Sequence, residues 1–136
     1  MAKIRHITIT TQNPGQVADF YKEVFDLKEI RRHSDNISLT DGYINHNVRR
    51  WKTEKDTDVG PNGPNFSGVH HIGFQVDDLE QTCSKLERAN SKKLSQEGLE
   101  SKIAAGGAGR GFSNDMKWAG PDGQVIDISK TGWQKS

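Results

Sequence analysis

One pattern occurs twice in this chain. His6-Ile7 stands seven residues ahead of Asn13, and His71-Ile72 stands seven residues ahead of Asp78. Asn13 and Asp78 are both residue types that cap helix N-termini. Asp41-Gly42 precedes the last apolar stretch of the first half, and Asp122-Gly123 precedes that of the second. A unit repeated at this spacing confines the fold to two copies of one supersecondary structure that share a core.

Each copy reads as strand, helix and then further strands. Lys3 to Thr10 is rich in β-branched residues, as strands are. Asn13-Pro14 opens a helix whose apolar stripe is expected to be Val17, Phe20, Tyr21, Val24 and Phe25. Residues 28–33 and 36–40 read as short strands, and Asp41-Gly42 turns the chain into a fourth strand from Tyr43 to Val48. Residues 49–68 are charged and end in clustered Gly and Pro, the composition of a surface connection. The second copy begins with the strand Val69–Val76. A helix follows, capped by Asp77 or Asp78, with Leu79, Cys83, Leu86 and Ala89 as its stripe. Two further strands are expected near 92–96 and 114–119, separated by a glycine-rich loop at 106–111, and Gln124–Ser129 is the last. The predicted domain is one unit over 1–136, with module 1 at about 1–50, a linker at 51–67 and module 2 at about 68–136.

At 136 residues the chain has room for one core. A formal net charge of +1 gives no long-range field for nucleic acid or a membrane surface, so neither is expected as a partner. No apolar run approaches 18 residues, and Cys83 has no second cysteine to pair with. Both point to a soluble, cytoplasmic protein.

Strand alternation indicates which side chains can meet. Ile7 and Ile9 share one face of the first strand, which leaves His6 with Thr8 and Thr10 on the other. Ile72, Phe74 and Val76 turn His71 to the opposite face in the same way, and Ile126 and Ile128 do so for Asp127. If the apolar faces pack on the helices, two imidazoles and a carboxylate converge on the other side. Such a set suits one divalent metal ion, Fe, Zn, Ni or Mn, with positions left open for substrate. By the same rule His70 faces away and is structural, and His33, inside Arg31-Arg32-His33, is solvated.

The paired units, a histidine in each first strand, Asn13-Pro-x4-Asp-Phe-Tyr21, His71-Ile-Gly-Phe74 and Gly120-Pro-Asp-Gly-x-x-Ile-Asp-Ile128 together resemble the vicinal-oxygen-chelate superfamily. That group includes glyoxalase, bleomycin-resistance protein and extradiol dioxygenase. The resemblance covers nearly the whole chain. It implies an α+β fold in which two βαβββ modules form a cupped mixed sheet around a central site, with helices outside. His6, His71 and Asp127 fall at the family's ligand positions, although the last is usually Glu. Counting from Asp-Gly places His46 at the ligand position of the first module's fourth strand, whereas matching Ile44-Asn45 to Ile126-Asp127 places Asn45 there. Facing favours Asn45, because Ile44, His46 and Val48 share a face.

The resemblance implies a metal-dependent lyase or isomerase of the glyoxalase I kind, acting on a small substrate with vicinal oxygens through a stabilised enediolate. An extradiol-type Fe(II) dioxygenase is the first alternative, and a metal-free ligand-sequestering protein of the bleomycin-resistance type is another. Addition of thiol or water to a phosphonate antibiotic fits the same triad. Asn45, His46 and Tyr43 are the catalytic candidates, and Lys117, Arg110 and Trp51 the candidate substrate contacts. Phe112 and Trp118 could also line a cavity. A homodimer is expected, with the site either inside one chain or shared by His6 of one subunit with His71 and Asp127 of the other.

Overall fold

The computed structural model describes residues 1–50, 66–94 and 116–133. Strand β1 (Lys3–Thr11) leads into helix α1 (Pro14–Phe25), followed by β2 (Lys28–His33), β3 (Asn36–Thr40) and β4 (Asn45–Arg50). The second unit runs β5 (Gly68–Gln75), α2 (Leu79–Arg88), β6 (Met116–Ala119) and β7 (Val125–Ser129). All seven strands form one mixed sheet in the order β2-β3-β4-β1-β5-β7-β6.

The sheet is two copies of one pattern joined back to back. In the first, β1 pairs parallel with β4 and β3 antiparallel with its neighbours. In the second, β5 pairs parallel with β7, and β7 antiparallel with β6. The two first strands, β1 and β5, meet antiparallel at the centre, with Ile7 opposite Ile72. Of the strand expected at 92–96, Lys93 makes a single bridge to Trp118, where the repeat calls for it; residues 95–115, including the loop at 106–111, lie outside the described residues.

Local chemistry sets the element ends. Pro14 occupies the first turn of α1, where a missing N–H costs nothing, and Asp26 closes the helix in the left-handed conformation. Asn13 makes no side-chain cap, whereas Asp78 accepts from Gln81 N at 2.9 Å, the expected capping arrangement. The fourth strand begins at Asn45, later than the predicted Tyr43. Asp41 accepts from both Tyr43 N and Ile44 N and holds those residues in the turn. The same strand continues to Arg50, into what the composition suggested was linker.

The core of the first unit is Ala18 of α1 against Ile37, Leu39 and Val48, with Val17, Tyr21 and Leu27 packed around them. The predicted α1 stripe is corrected here. Phe20, Val24 and Phe25 are 53%, 53% and 59% exposed, because only the Ala18 side of the helix meets the sheet. The α2 stripe fares similarly: Leu79, Cys83 and Leu86 are half-buried, Ala89 is exposed, and no residue of α2 is fully buried. The opposite sheet face is unusual in its polarity. Thr8, Thr10, Ser38, Thr40, Asn45, Asp127 and Ser129 are all buried there or beside it. A polar face of this extent is tolerated only if its groups find partners. Among the described residues no helix is long and apolar enough to cross a membrane.

Candidate metal centre

The β1·β5 pairing brings the two histidines together within one chain. His6 lies opposite Gly73 and His71 opposite Thr8, so the imidazoles approach on a diagonal across the ladder. His6 Nε2 and His71 Nε2 are 3.2 Å apart. Parallel pairing of β7 with β5 sets Asp127 beside Gly73, and Asp127 Oδ2 lies 3.1 Å from His71 Nε2. Ligand atoms of the three residues all fall within 4.8 Å of one another, and all three residues are buried.

Each site residue is held by a neighbour. His6 Nδ1 lies 2.7 Å from Asn45 Oδ1, an atom that only accepts. Nδ1 therefore carries the proton, and the Nε2 lone pair is left facing the centre. Thr8 Oγ1 stands 2.8 Å from the same Nε2. The indole of Trp133 stacks on the His6 ring with centroids 4.7 Å apart and planes 6° from parallel. Gly73 makes room for this stack: a Cβ there would lie 2.7 Å from the Trp133 ring and 2.8 Å from His6 Cβ. Lys117, next to Asp127 on β6, places Nζ 2.7 Å from Asp127 Oδ1.

The electrostatics favour a neutral His6 beside a charged carboxylate. Burial pushes His6 down to about 3, His71 adds to the effect, and Asp127 and Asn45 oppose it. Burial would raise Asp127, but the charges of Lys117 and His71 outweigh that penalty and hold the carboxyl below the usual range.

This donor set fits a divalent ion. With metal–nitrogen and metal–oxygen bonds of about 2.0–2.2 Å, adjacent ligand atoms lie roughly 2.9–3.4 Å apart. The 3.2 Å and 3.1 Å separations fall in that interval. Asp127 Oδ2 is buried and has no hydrogen-bond partner, an unsatisfied acceptor of the kind a cation would complete.

The remaining sequence candidates divide by face. Asn45 sits against His6, whereas His46 lies on the α1 side, edge-on to Tyr21 at 4.8 Å. His46 lines a cavity of about 340 Å³ with Ile7, Ile9, Tyr21, Leu27, Asp41 and Ile44, and burial lowers its pKa. Tyr43 lies under the Arg5 guanidinium, 4.3 Å from the ring centre, and its backbone oxygen accepts from Arg5 Nε. Lys117 is engaged with Asp127, and Trp118 is buried. Trp51, Arg110 and Phe112 lie outside the described residues.

His70 requires a correction. Alternation places it on the face opposite His71, yet its Nδ1 lies 2.6 Å from His71 Nδ1. The β1·β5 register passes from Thr8↔His71 to Ile9↔Val69, so His70 is the extra residue of a β-bulge. Sequence reasoning also missed Thr8 as a contact of His6, and Trp133. An aromatic four residues after the last strand was the only signal for Trp133.

A βαβββ unit and a second unit of the same plan, described through three strands and the bridge at Lys93, share one sheet; a histidine from each first strand and a carboxylate from the last define a vicinal-oxygen-chelate protein. The chain belongs to the Glyoxalase/Bleomycin resistance protein/Dioxygenase superfamily, whose family model matches residues 3–128. It is 27% identical to the glyoxalase I of Saccharomyces cerevisiae (strain ATCC 204508 / S288c) over 92% of its own length, and spans 44% of the length of that relative. Among solved structures, a hypothetical protein of Bacillus halodurans C-125 matches with a TM-score of 0.66 at 16% identity, covering 99% of this chain and 98% of the other. A methylmalonyl-CoA epimerase of Streptomyces coelicolor, in complex with 2-nitronate-propionyl-CoA, matches with a TM-score of 0.62 at 16% identity, covering 97% of each chain. Likeness at such identities concerns the fold alone.

Proposed function

We propose that this chain is a metal-dependent enzyme of the superfamily, a lyase or isomerase acting on a small substrate with two adjacent oxygens. The observation that carries the reading is the convergence of His6 Nε2, His71 Nε2 and Asp127 Oδ2, a buried oxygen that makes no hydrogen bond. A divalent ion held by these three residues would act as a Lewis acid on the substrate oxygens and stabilise an enediolate. The residues around it prepare that chemistry. Asn45 fixes the tautomer of His6, Trp133 covers the ring and keeps water from it, and Lys117 holds Asp127 in place through Oδ1.

A dioxygenase of the extradiol type using Fe(II) is the second reading, supported by Asn45. An amide stands where a carboxylate base would serve proton abstraction, and its oxygen is directed at His6 Nδ1. Two histidines and one carboxylate are also the ligand set of Fe(II) oxygenases.

The test is the metal content of the purified chain by elemental analysis, beside His71→Ala and Asp127→Ala. One divalent ion in the wild type, lost in both variants, is the expected result. Iron would favour the dioxygenase, and nickel or zinc the lyase or isomerase. A wild type that stays empty after reconstitution with each ion rejects both in favour of a metal-free, ligand-sequestering role.

A further inference from the structure

The two site histidines need the same preparation, and the first receives it from Asn45. We propose that His70 is the positioning residue of the second: its Nδ1, carried beside His71 Nδ1 by the β-bulge, accepts the His71 Nδ1–H and commits His71 Nε2 to the centre. This rests on the metal-centre reading and adds a residue to it.

The geometry supports the assignment from several sides. The Nδ1–Nδ1 separation of 2.6 Å requires one nitrogen to donate and the other to accept. His71 Nε2 faces His6 Nε2 at 3.2 Å and Asp127 Oδ2 at 3.1 Å, so with a cation at the centre a lone pair is needed at that atom and a proton at Nδ1. Donation from His71 to His70 satisfies both needs. A ligand imidazole whose other nitrogen donates to a fixed acceptor is oriented and made more basic. The two rings stand nearly perpendicular, 76° apart, with centroids separated by 4.9 Å. His70 meets His71 through its Nδ1.

The bulge is what makes this possible. In a regular strand neighbouring side chains leave on opposite faces, and His70 could not reach His71. A second register shift lies between Ile4 and His6, where Arg5 is the extra residue. Each module thus places its bulge immediately before its site histidine. Bulges that re-aim a side chain beside a functional centre are a recurrent device in sheets.

The experiment compares wild type with His70→Phe, which keeps a ring and removes the acceptor, and His70→Asn, whose Oδ1 replaces Nδ1. Long-range proton–nitrogen correlation spectra of the zinc-loaded full-length chain report which His71 nitrogen keeps its proton, and zinc titration reports affinity. Wild type and His70→Asn are expected to hold His71 in the Nδ1–H form. In His70→Phe a mixture with the Nε2–H form should appear, and zinc affinity should fall roughly 10- to 100-fold. The proposal is overturned if His70→Phe keeps the wild-type tautomer and affinity, or if a folded His70→Asn restores neither. Should His70→Phe fail to fold, His70→Ala against His70→Asn makes the same comparison. A wild-type chain that takes no zinc overturns the metal-centre reading, whereas a wild type that takes zinc while His70→Phe matches it in tautomer and affinity overturns the role of His70 alone.

Discussion

Substituting Gly73 by alanine tests how closely the site is built around the central ladder. A Cβ at this position would stand 2.7 and 2.8 Å from two atoms of the Trp133 ring and 2.8 Å from His6 Cβ. Ordinary carbon contacts begin near 3.5 Å, so each must open by roughly 0.7 Å. The indole can tilt away, but only by giving up its parallel stack on His6. His6 Cβ is fixed to the backbone, and relief there requires β1 and β5 to separate where His6 pairs with Gly73. Overpacking of this kind costs about 1–3 kcal/mol, and an aromatic stack adds about 0.5–1.5 kcal/mol. A total of about 2–4 kcal/mol lowers Tm by roughly 6–16 °C for a chain of this length. Thermal melts by circular dichroism measure it, and a double-mutant cycle with Trp133→Ala isolates the ring's share. Gly73→Ala should be markedly milder in the Trp133→Ala background. A Tm within about 2 °C of wild type, well under the cost of even a modest overpacking, would refute the account, as would a cycle with no coupling.

Three further outcomes are expected. Asp127→Asn should abolish metal binding and, by leaving Lys117 opposite a neutral amide, cost about 3 kcal/mol in urea unfolding. That is the low end for a broken buried ion pair, because Lys117 retains some access to water. His46→Phe should leave metal affinity unchanged, since His46 faces α1; loss of metal on calorimetric titration would return it to the ligand set. Acid should destabilise the metal-free chain in two windows. The folded His6 stays neutral down to about 3 while the unfolded chain takes up a proton below 6.5, so stability complete above pH 6.5 is lost as pH falls towards 3. Asp127, depressed in the fold, adds its loss below 3.8. Unfolding midpoints against pH for wild type and His6→Gln should differ mainly in the upper window.

Much of this arrangement could be read from residue order. The spacing from His6 to Asn13 and from His71 to Asp78 marked the repeat, and alternation around Ile7, Ile72 and Ile126 marked the face on which His6, His71 and Asp127 now meet. The same rule separated Asn45 from His46. It failed at His70, because a bulge is one unpaired residue whose presence depends on the partner strand. It also overstated the helices. Phe20, Val24 and Phe25 have the spacing of a buried stripe, but how much of that stripe the sheet covers depends on where α1 crosses it.

The sequence by itself determined the two-module order of elements, the polarity of each strand face and the three residues that converge, since these follow from local periodicity and capping chemistry. Only the tertiary structure decided that β1 pairs with β5 inside one chain, that Lys117 takes one oxygen of Asp127 and leaves the other facing His71, that Trp133 lies on His6, and that His70 turns to His71. Those contacts depend on strand register and, for His6 with His71 and with Trp133, on residues 65 and 127 positions apart, and no local pattern encodes which distant partner a side chain will meet.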